Sequence, residues 1–145
     1  MKLYYTPGAC SQAPHIALRE LGLSFDTVKV DLATHTLPDG SDFRAINPKG
    51  YVPLLELDDG TRLSEASVIL QYVADQKPGT IAPVFGTLAR WKLMEWIAFI
   101  STEVHKGAVE SEDAGRGSRL DRAGTRQSLH VDREDFGRAA VPDGP

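Results

Sequence analysis

The sequence has very little cysteine. Cys10 is the single cysteine among 145 residues, so the chain cannot form an intramolecular disulfide. The four histidines are scattered along the sequence, so the chain also cannot form a cysteine-rich zinc site. We therefore predict no bound metal. A lone thiol suits a reducing compartment. Because the start also lacks the apolar segment of a signal peptide, the sequence favours the cytoplasm.

Long apolar runs and basic clusters are missing as well. No stretch approaches the roughly 20 apolar residues that cross a bilayer, so we expect no membrane partner. The chain has 16 Lys and Arg against 20 Asp and Glu, a formal net charge of −4 without a basic patch. This balance argues against nucleic acid as a partner. The hydrophobic fraction of 41% is ordinary for a globular protein with a packed core.

Lysine does not occur after Lys106. Residues 108–145 contain six arginines, five glycines and five aspartates, and their few large apolar residues have no helical spacing. This composition predicts a boundary near Gly107, followed by a disordered or aberrant tail over 108–145. A shifted reading frame in a GC-rich gene and a divergent flexible tail are the two explanations that the composition leaves open.

Before that boundary, strands and helices alternate. Apolar spacing predicts a β-α-β-α-β-β-α order, hence an α/β fold. The fifth and sixth elements flank the turn residues Asp58, Asp59 and Gly60, which are typical of a hairpin. Pro53 at the start of the third strand removes a hydrogen-bond donor, which favours a strand start or edge and is compatible with a cis peptide bond. The predicted elements are strands 3–5, 25–30, 52–57 and 62–63 and helices 10–21, 42–45 and 65–76.

Short motifs at residues 1–11, 47–53, 64–69 and 101–107 occur in the order found in bacterial glutathione S-transferases, and the chain resembles that family over residues 1–107. Cysteine at the end of the first loop is similar to the beta class. The resemblance implies a thioredoxin-like domain over 1–80 that binds glutathione beside a cis-proline. It also implies that 87–107 is the first helix of an all-helical domain, which is truncated here.

Cys10 is the candidate catalytic residue. It stands where a turn meets a helix, and the unpaired N–H groups and dipole there would favour a thiolate, so we expect a lowered pKa. A buried structural cysteine is the alternative. No second cysteine is present for intramolecular exchange, which disfavours a thioredoxin-type activity but allows a mixed disulfide with glutathione. Ser11 would donate its hydroxyl to the sulfur of bound glutathione, cap the helix, or do both.

The resemblance assigns further glutathione contacts. The backbone of Val52 would pair with the cysteinyl part of glutathione, although an ordinary strand start needs the same geometry. The N–H of Ala66 would hold the γ-glutamyl carboxylate and Glu65 the ammonium, whereas Ser64 before them also resembles a helix N-cap. His35 stands where the family has a lysine that meets a glutathione carboxylate. An exposed loop histidine is the simpler interpretation of that position.

The predicted helix 87–106 places Ala98, Thr102 and His105 on one face. In the family, an asparagine at the position of Ala98 faces glutathione from the partner subunit, and alanine cannot make that hydrogen bond. Thr102 and His105 remain candidates for glutathione contacts on this face. His105 and Lys106 are equally typical of an ordinary helix C-terminus.

The resemblance therefore implies a glutathione transferase, in which glutathione is a co-substrate and its thiolate attacks a small electrophilic substrate. In the family the helical domain supplies most of the electrophile pocket and the protein is a homodimer. Because that domain is truncated, we expect impaired activity and doubt dimerisation. The alternatives are a monothiol, glutaredoxin-like thiol–disulfide reductase and a non-catalytic glutathione-binding fragment.

Overall fold

The computed structural model describes residues 1–105, which fall into two units. The first is Met1–Phe85 and the second begins at Gly86. The predicted tail 108–145 and the proposed boundary at Gly107 lie outside the described residues. No helix within residues 1–105 has the length and apolar character that crossing a membrane requires.

A four-stranded mixed sheet organises the first unit. The spatial order is β2-β1-β3-β4, with β1 parallel to β2 and antiparallel to β3, and β3 antiparallel to β4. Because parallel strands need a crossover, the connection from β1 to β2 passes through helix α1. The elements are β1 (Lys2–Tyr5), α1 (Gln12–Glu20), β2 (Asp26–Lys29), β3 (Leu54–Glu56), β4 (Arg62–Ser64) and α2 (Ala66–Asp75).

Both faces of this sheet are buried, because neighbouring residues of a strand point to opposite sides. Leu3 and Leu55 lie in one cluster with residues of α1 and α2. Tyr4 and Leu54 lie in the other cluster, which the loops on the opposite face complete through Val30, Phe43 and Val52. The second cluster holds the segment before β3 against the sheet, and this segment carries one edge of the site.

The predicted β-α-β-α-β-β-α order is confirmed. The second helix is a single 3-10 turn, Phe43–Ala45, which begins at Asp42 with the Arg44 N–H donated to the Asp42 side chain over 2.9 Å. The peptide bond between Val52 and Pro53 is cis, as the sequence allowed. The hairpin turns at Gly60, whose φ of 83° is a left-handed conformation that glycine adopts without strain.

The second unit contains helix α3 (Leu88–Phe99), whose N-cap Thr87 accepts a hydrogen bond from the N–H of Arg90. A π-helical turn, Ile100–His105, follows it, where the sequence predicted one continuous α-helix to residue 106. The hydroxyls of Ser101 and Thr102 donate to the carbonyls four residues earlier, over 2.8 and 3.1 Å. Such side-chain bonds compete with the helical N–H groups and loosen the helix, which explains the difference.

Candidate functional site

The turn between β1 and α1 is held together by Ser11. Its buried hydroxyl donates to the carbonyl of Thr6 and accepts from the N–H of the same residue, both over 3.1 Å. Ser11 already has helical φ and ψ and makes no side-chain cap, so the interpretation of Ser11 as a capping side chain is wrong. Its hydroxyl fixes the turn that presents Cys10.

Cys10 is half-buried, and its thiol donates a hydrogen bond to the carbonyl of Val52 over 3.1 Å. Burial raises the pKa of Cys10 above its usual value, and the negative charge of Glu65 raises it further. Hydrogen bonds from the backbone N–H groups of Cys10 and Ser11 act in the opposite direction and lower the pKa. The net shift is upward, so the predicted low-pKa thiolate is wrong. The turn does supply N–H groups, but desolvation outweighs them.

The segment before β3 is fixed by Asn47. This buried side chain donates from Nδ2 to the carbonyl of Tyr51 over 2.8 Å, and its Oδ1 accepts from the N–H of Lys49 over 3.3 Å. The Gly50 N–H closes the turn on the Asn47 carbonyl at 2.8 Å. Asn47 therefore holds the path of the chain into Val52 and the cis bond. The sequence motif contained Asn47 but gave it no role.

His35 braces the same loop from outside. It has a left-handed φ of 56°, and its Nδ1 lies 3.2 Å from the carbonyl oxygen of Gly50, to which it donates in the matching tautomer. A Cβ on Gly50 would stand only 2.8 Å from that ring, so glycine is required there. The expected exposed loop histidine is wrong, because His35 is half-buried against the loop. Its predicted contact with a glutathione carboxylate stays a prediction.

Glu65 begins helix α2 with an unusual backbone. Its φ is 72°, a region that residues with side chains rarely adopt, and its carbonyl accepts the N–H groups of Val68 and Ile69. Its carboxylate makes no cap and instead accepts from Lys49 Nζ over 3.3 Å. Ser64 belongs to β4, so the interpretation of Ser64 as the N-cap is wrong. Ala66 is the first residue of α2, one residue after the predicted start.

The first unit thus brings several predicted residues to one place. Cys10 contacts Val52 directly, Glu65 acts on Cys10 electrostatically, and His35 holds the loop leading to Val52. Lys49 joins them through Glu65 and was missed. The two residues are 16 positions apart on different elements, so no local pattern could have indicated their pairing.

Thr102 and His105 belong to the second unit. The Thr102 hydroxyl donates to the Ala98 carbonyl of its own helix, and His105 ends the π-helical turn. Their predicted contacts with glutathione stay predictions.

The chain matches known proteins along most of its described length. Residues 8–76 match the family model of the glutathione S-transferase N-terminal domain. The glutathione S-transferase GstA of Escherichia coli O157:H7 is 53% identical over 109 residues, which are 74% of this chain and 54% of GstA. The chain therefore spans about half the length of the curated relatives it matches.

Solved structures are similar over a larger share. A bacterial beta class glutathione S-transferase from Sphingomonas chungbukensis is 45% identical with a TM-score of 0.76, over 95% of this chain and 67% of that one. A sphingomonad glutathione S-transferase complexed with glutathione is 45% identical with a TM-score of 0.74, over 89% and 64%. The mixed four-stranded sheet with its helices is a thioredoxin-like fold, and the chain belongs to the glutathione S-transferase family.

Proposed function

We propose that this chain binds glutathione along the first turn, the cis-proline segment and the start of α2, as part of a glutathione transferase reaction. The observation that carries the proposal is the 3.1 Å hydrogen bond from the Cys10 thiol to the Val52 carbonyl. It places the chain's single thiol against a backbone edge that can pair with a peptide. Membership of the family and the sphingomonad relative's complex with glutathione support this assignment.

Binding would start at the Val52 backbone. Its N–H and C=O would pair with the cysteinyl residue of glutathione as an added strand does. The Cys10 thiol donates to the same Val52 carbonyl, so an incoming amide N–H would compete with the thiol for that acceptor and could free it. The freed thiol then lies beside the position of the glutathione sulfur. The Ala66 N–H, at the positive end of α2, would hold the γ-glutamyl carboxylate, and Glu65 would hold the ammonium.

The chemistry that we propose is conjugation. The glutathione thiol gives its proton to solvent water, the thiolate forms a bond to an electrophilic carbon, and the leaving group departs with the bonding electrons. Because the pKa of Cys10 is raised by burial and by Glu65, Cys10 is a hydrogen-bond donor to the glutathione thiolate rather than the attacking thiolate. Ser11 contributes by holding the turn through Thr6, in place of the predicted direct donation to sulfur.

A second candidate function is glutathione binding without conjugation. The contacts proposed at Val52, Glu65 and Ala66 favour this candidate, because they would hold the tripeptide without any part of an electrophile pocket. The glutaredoxin-like alternative needs Cys10 to attack a disulfide as a thiolate. The raised pKa of Cys10 disfavours that step near neutral pH.

The remaining expectations concern substrate, partner and compartment. A small electrophile is the second substrate that we propose, and glutathione is the co-substrate, with no metal in the scheme. The expectation that this chain does not form the family's homodimer stays a prediction. The free thiol of Cys10 suits a reducing compartment, and we propose the cytoplasm.

Retention on immobilised glutathione, followed by intact-mass analysis, tests the proposal. We expect the wild-type chain to be retained, to elute with free glutathione and to form a glutathione adduct under oxidising conditions. Cys10→Ala should stay on the column without an adduct, because the Val52 and Glu65 contacts remain. Failure of the wild-type chain to be retained would reject the proposed function. Retention without turnover of a chloronitrobenzene electrophile would select binding alone.

A further inference from the structure

An ion pair joins the cis-proline segment to the start of α2. Lys49 Nζ lies 3.3 Å from Glu65 Oε1, and the two side chains are 59% and 64% exposed. Ion pairs this exposed contribute little, because water solvates both charges well. Either partner can therefore exchange its counter-charge for that of a ligand at small cost. The pair presents one positive and one negative charge side by side.

The backbones that carry these charges are firmly held. Asn47 binds the loop at Tyr51 and at the N–H of Lys49. Glu65 keeps its left-handed φ of 72° while its carbonyl accepts the first N–H bonds of α2. The side-chain ends can move, but the points from which they extend are fixed relative to Val52 and Ala66.

His35 already makes a hydrogen bond within the loop through its Nδ1 atom. The resemblance assigns a glutathione carboxylate to a lysine at this position, whereas the His35 Nδ1 lies 3.2 Å from the Gly50 carbonyl. Its ring packs where a Gly50 side chain would otherwise stand. His35 therefore supports the loop that carries Lys49, and Lys49 is the lysine that pairs with Glu65 at the start of α2.

We propose that Lys49 and Glu65 together recognise the amino-acid end of the γ-glutamyl residue, with Lys49 meeting its carboxylate and Glu65 its ammonium. This assignment rests on the proposed function and names Lys49 as a specificity residue of that site. The ligand's ammonium and carboxylate share one carbon atom, so their spacing is similar to that of an ion pair. The Lys49–Glu65 pair opens, and each member takes the opposite charge of the ligand. The Ala66 N–H adds a second donor to the same carboxylate.

Titration calorimetry on the full chain tests this with two probes. The first is S-methylglutathione, which can form neither a disulfide nor a conjugate. The second is its analogue with 4-aminobutyryl in place of γ-glutamyl, which keeps the ammonium and lacks the carboxylate. Lys49→Met should raise the Kd of S-methylglutathione about threefold to tenfold and leave the Kd of the analogue nearly unchanged. Lys49→Arg should keep the wild-type Kd for both.

Lys29→Met is the matched control, because Lys29 is an exposed lysine on strand β2, and it should change neither Kd. Equal weakening of both probes by Lys49→Met would show a merely structural role and overturn the assignment. An unchanged Kd for S-methylglutathione, or an equal loss in Lys49→Arg, would overturn it too. If the wild-type chain does not bind S-methylglutathione, the proposed function itself fails, and the Lys49 assignment fails with it.

Discussion

The two described parts of the chain use their apolar side chains differently. In Met1–Phe85 the strands bury both faces, and residues such as Leu55 and Ile69 are fully inaccessible to water. In the second unit, α3 is apolar on several sides, and Leu88 and Trp91 are 77% and 56% exposed. A single helix can bury only the sides that have neighbours. Helical periodicity therefore predicts the element in both units, but a core forms only where sheet and helices enclose it.

The largest difference should appear in stability. Ile69→Ala leaves a cavity among α1, α2 and the sheet and should lower the free energy of unfolding by about 2–5 kcal/mol. Leu88→Ala removes an exposed side chain and should change it by less than about 0.5 kcal/mol. Urea denaturation followed by circular dichroism measures both. Similar losses for the two variants would contradict the comparison.

The change in stability caused by removing a hydroxyl group should also differ between the two units. Ser11→Ala removes the acceptor of the half-buried Thr6 N–H and one of the two donors to the Thr6 carbonyl, so it should cost about 0.5–1.5 kcal/mol of stability. Ser101→Ala removes a hydroxyl that competes for a helical carbonyl, so it should be neutral or slightly stabilising. Thermal unfolding of both variants checks this. Glutathione retention should weaken only in Ser11→Ala, and a silent Ser11→Ala would remove Ser11 from the site.

Because Cys10 is the only cysteine, its alkylation by iodoacetamide reports a single group. Burial and Glu65 raise the pKa of Cys10, so the midpoint of rate against pH should lie above that of an unperturbed cysteine. Glu65→Gln removes a negative charge and should lower the midpoint, whereas Glu20→Gln on α1 should not. The folded state then holds this proton to higher pH than the unfolded state does, so stability falls as pH rises from the unfolded pKa through the folded pKa. A midpoint below that of an unperturbed cysteine would restore the thiolate hypothesis.

The smallest effect concerns surface charges. The hydrogen bond from Arg62 and the charge of Lys2 hold the pKa of Glu56 below its usual value. This depressed pKa contributes stability at neutral pH, which is lost as pH falls through the acidic pKa of Glu56. Glu56→Gln should cost about 0.5–1 kcal/mol at pH 7 and nothing near pH 2. Glu95→Gln, which breaks the exposed pair with Lys92 in α3, should cost less. Equal losses of unfolding free energy in Glu56→Gln and Glu95→Gln, measured by chemical denaturation, would contradict this.

Local patterns predicted much of the fold. The apolar spacing over residues 10–21 indicated α1, and the turn at Gly60 indicated the hairpin. The pattern could not show that the second helix is one 3-10 turn. It also missed the π-helical turn, because the carbonyl bonds of Ser101 and Thr102 depend on rotamers.

The sequence predicted several of the residues that form the site, but it did not predict which of them contact one another. The motifs singled out Cys10, Val52 and Glu65, but the bond from Cys10 to Val52 spans 42 positions. The pairing of Lys49 with Glu65 has no sequence signal at all. The sign of the Cys10 pKa shift was wrong because a sequence shows the helix N-terminus but not the depth of burial.

The sequence by itself determined the order of the elements, because that order depends on neighbouring residues. It also determined that one thiol lies beside a turn and that Pro53 allows a cis peptide bond. Only the tertiary structure decided that this thiol is a protonated donor to Val52, that Ser11 locks the turn, and that Lys49 faces Glu65. The physical reason is that desolvation, hydrogen bonding and ion pairing depend on distances between segments far apart in the chain, which the fold alone sets.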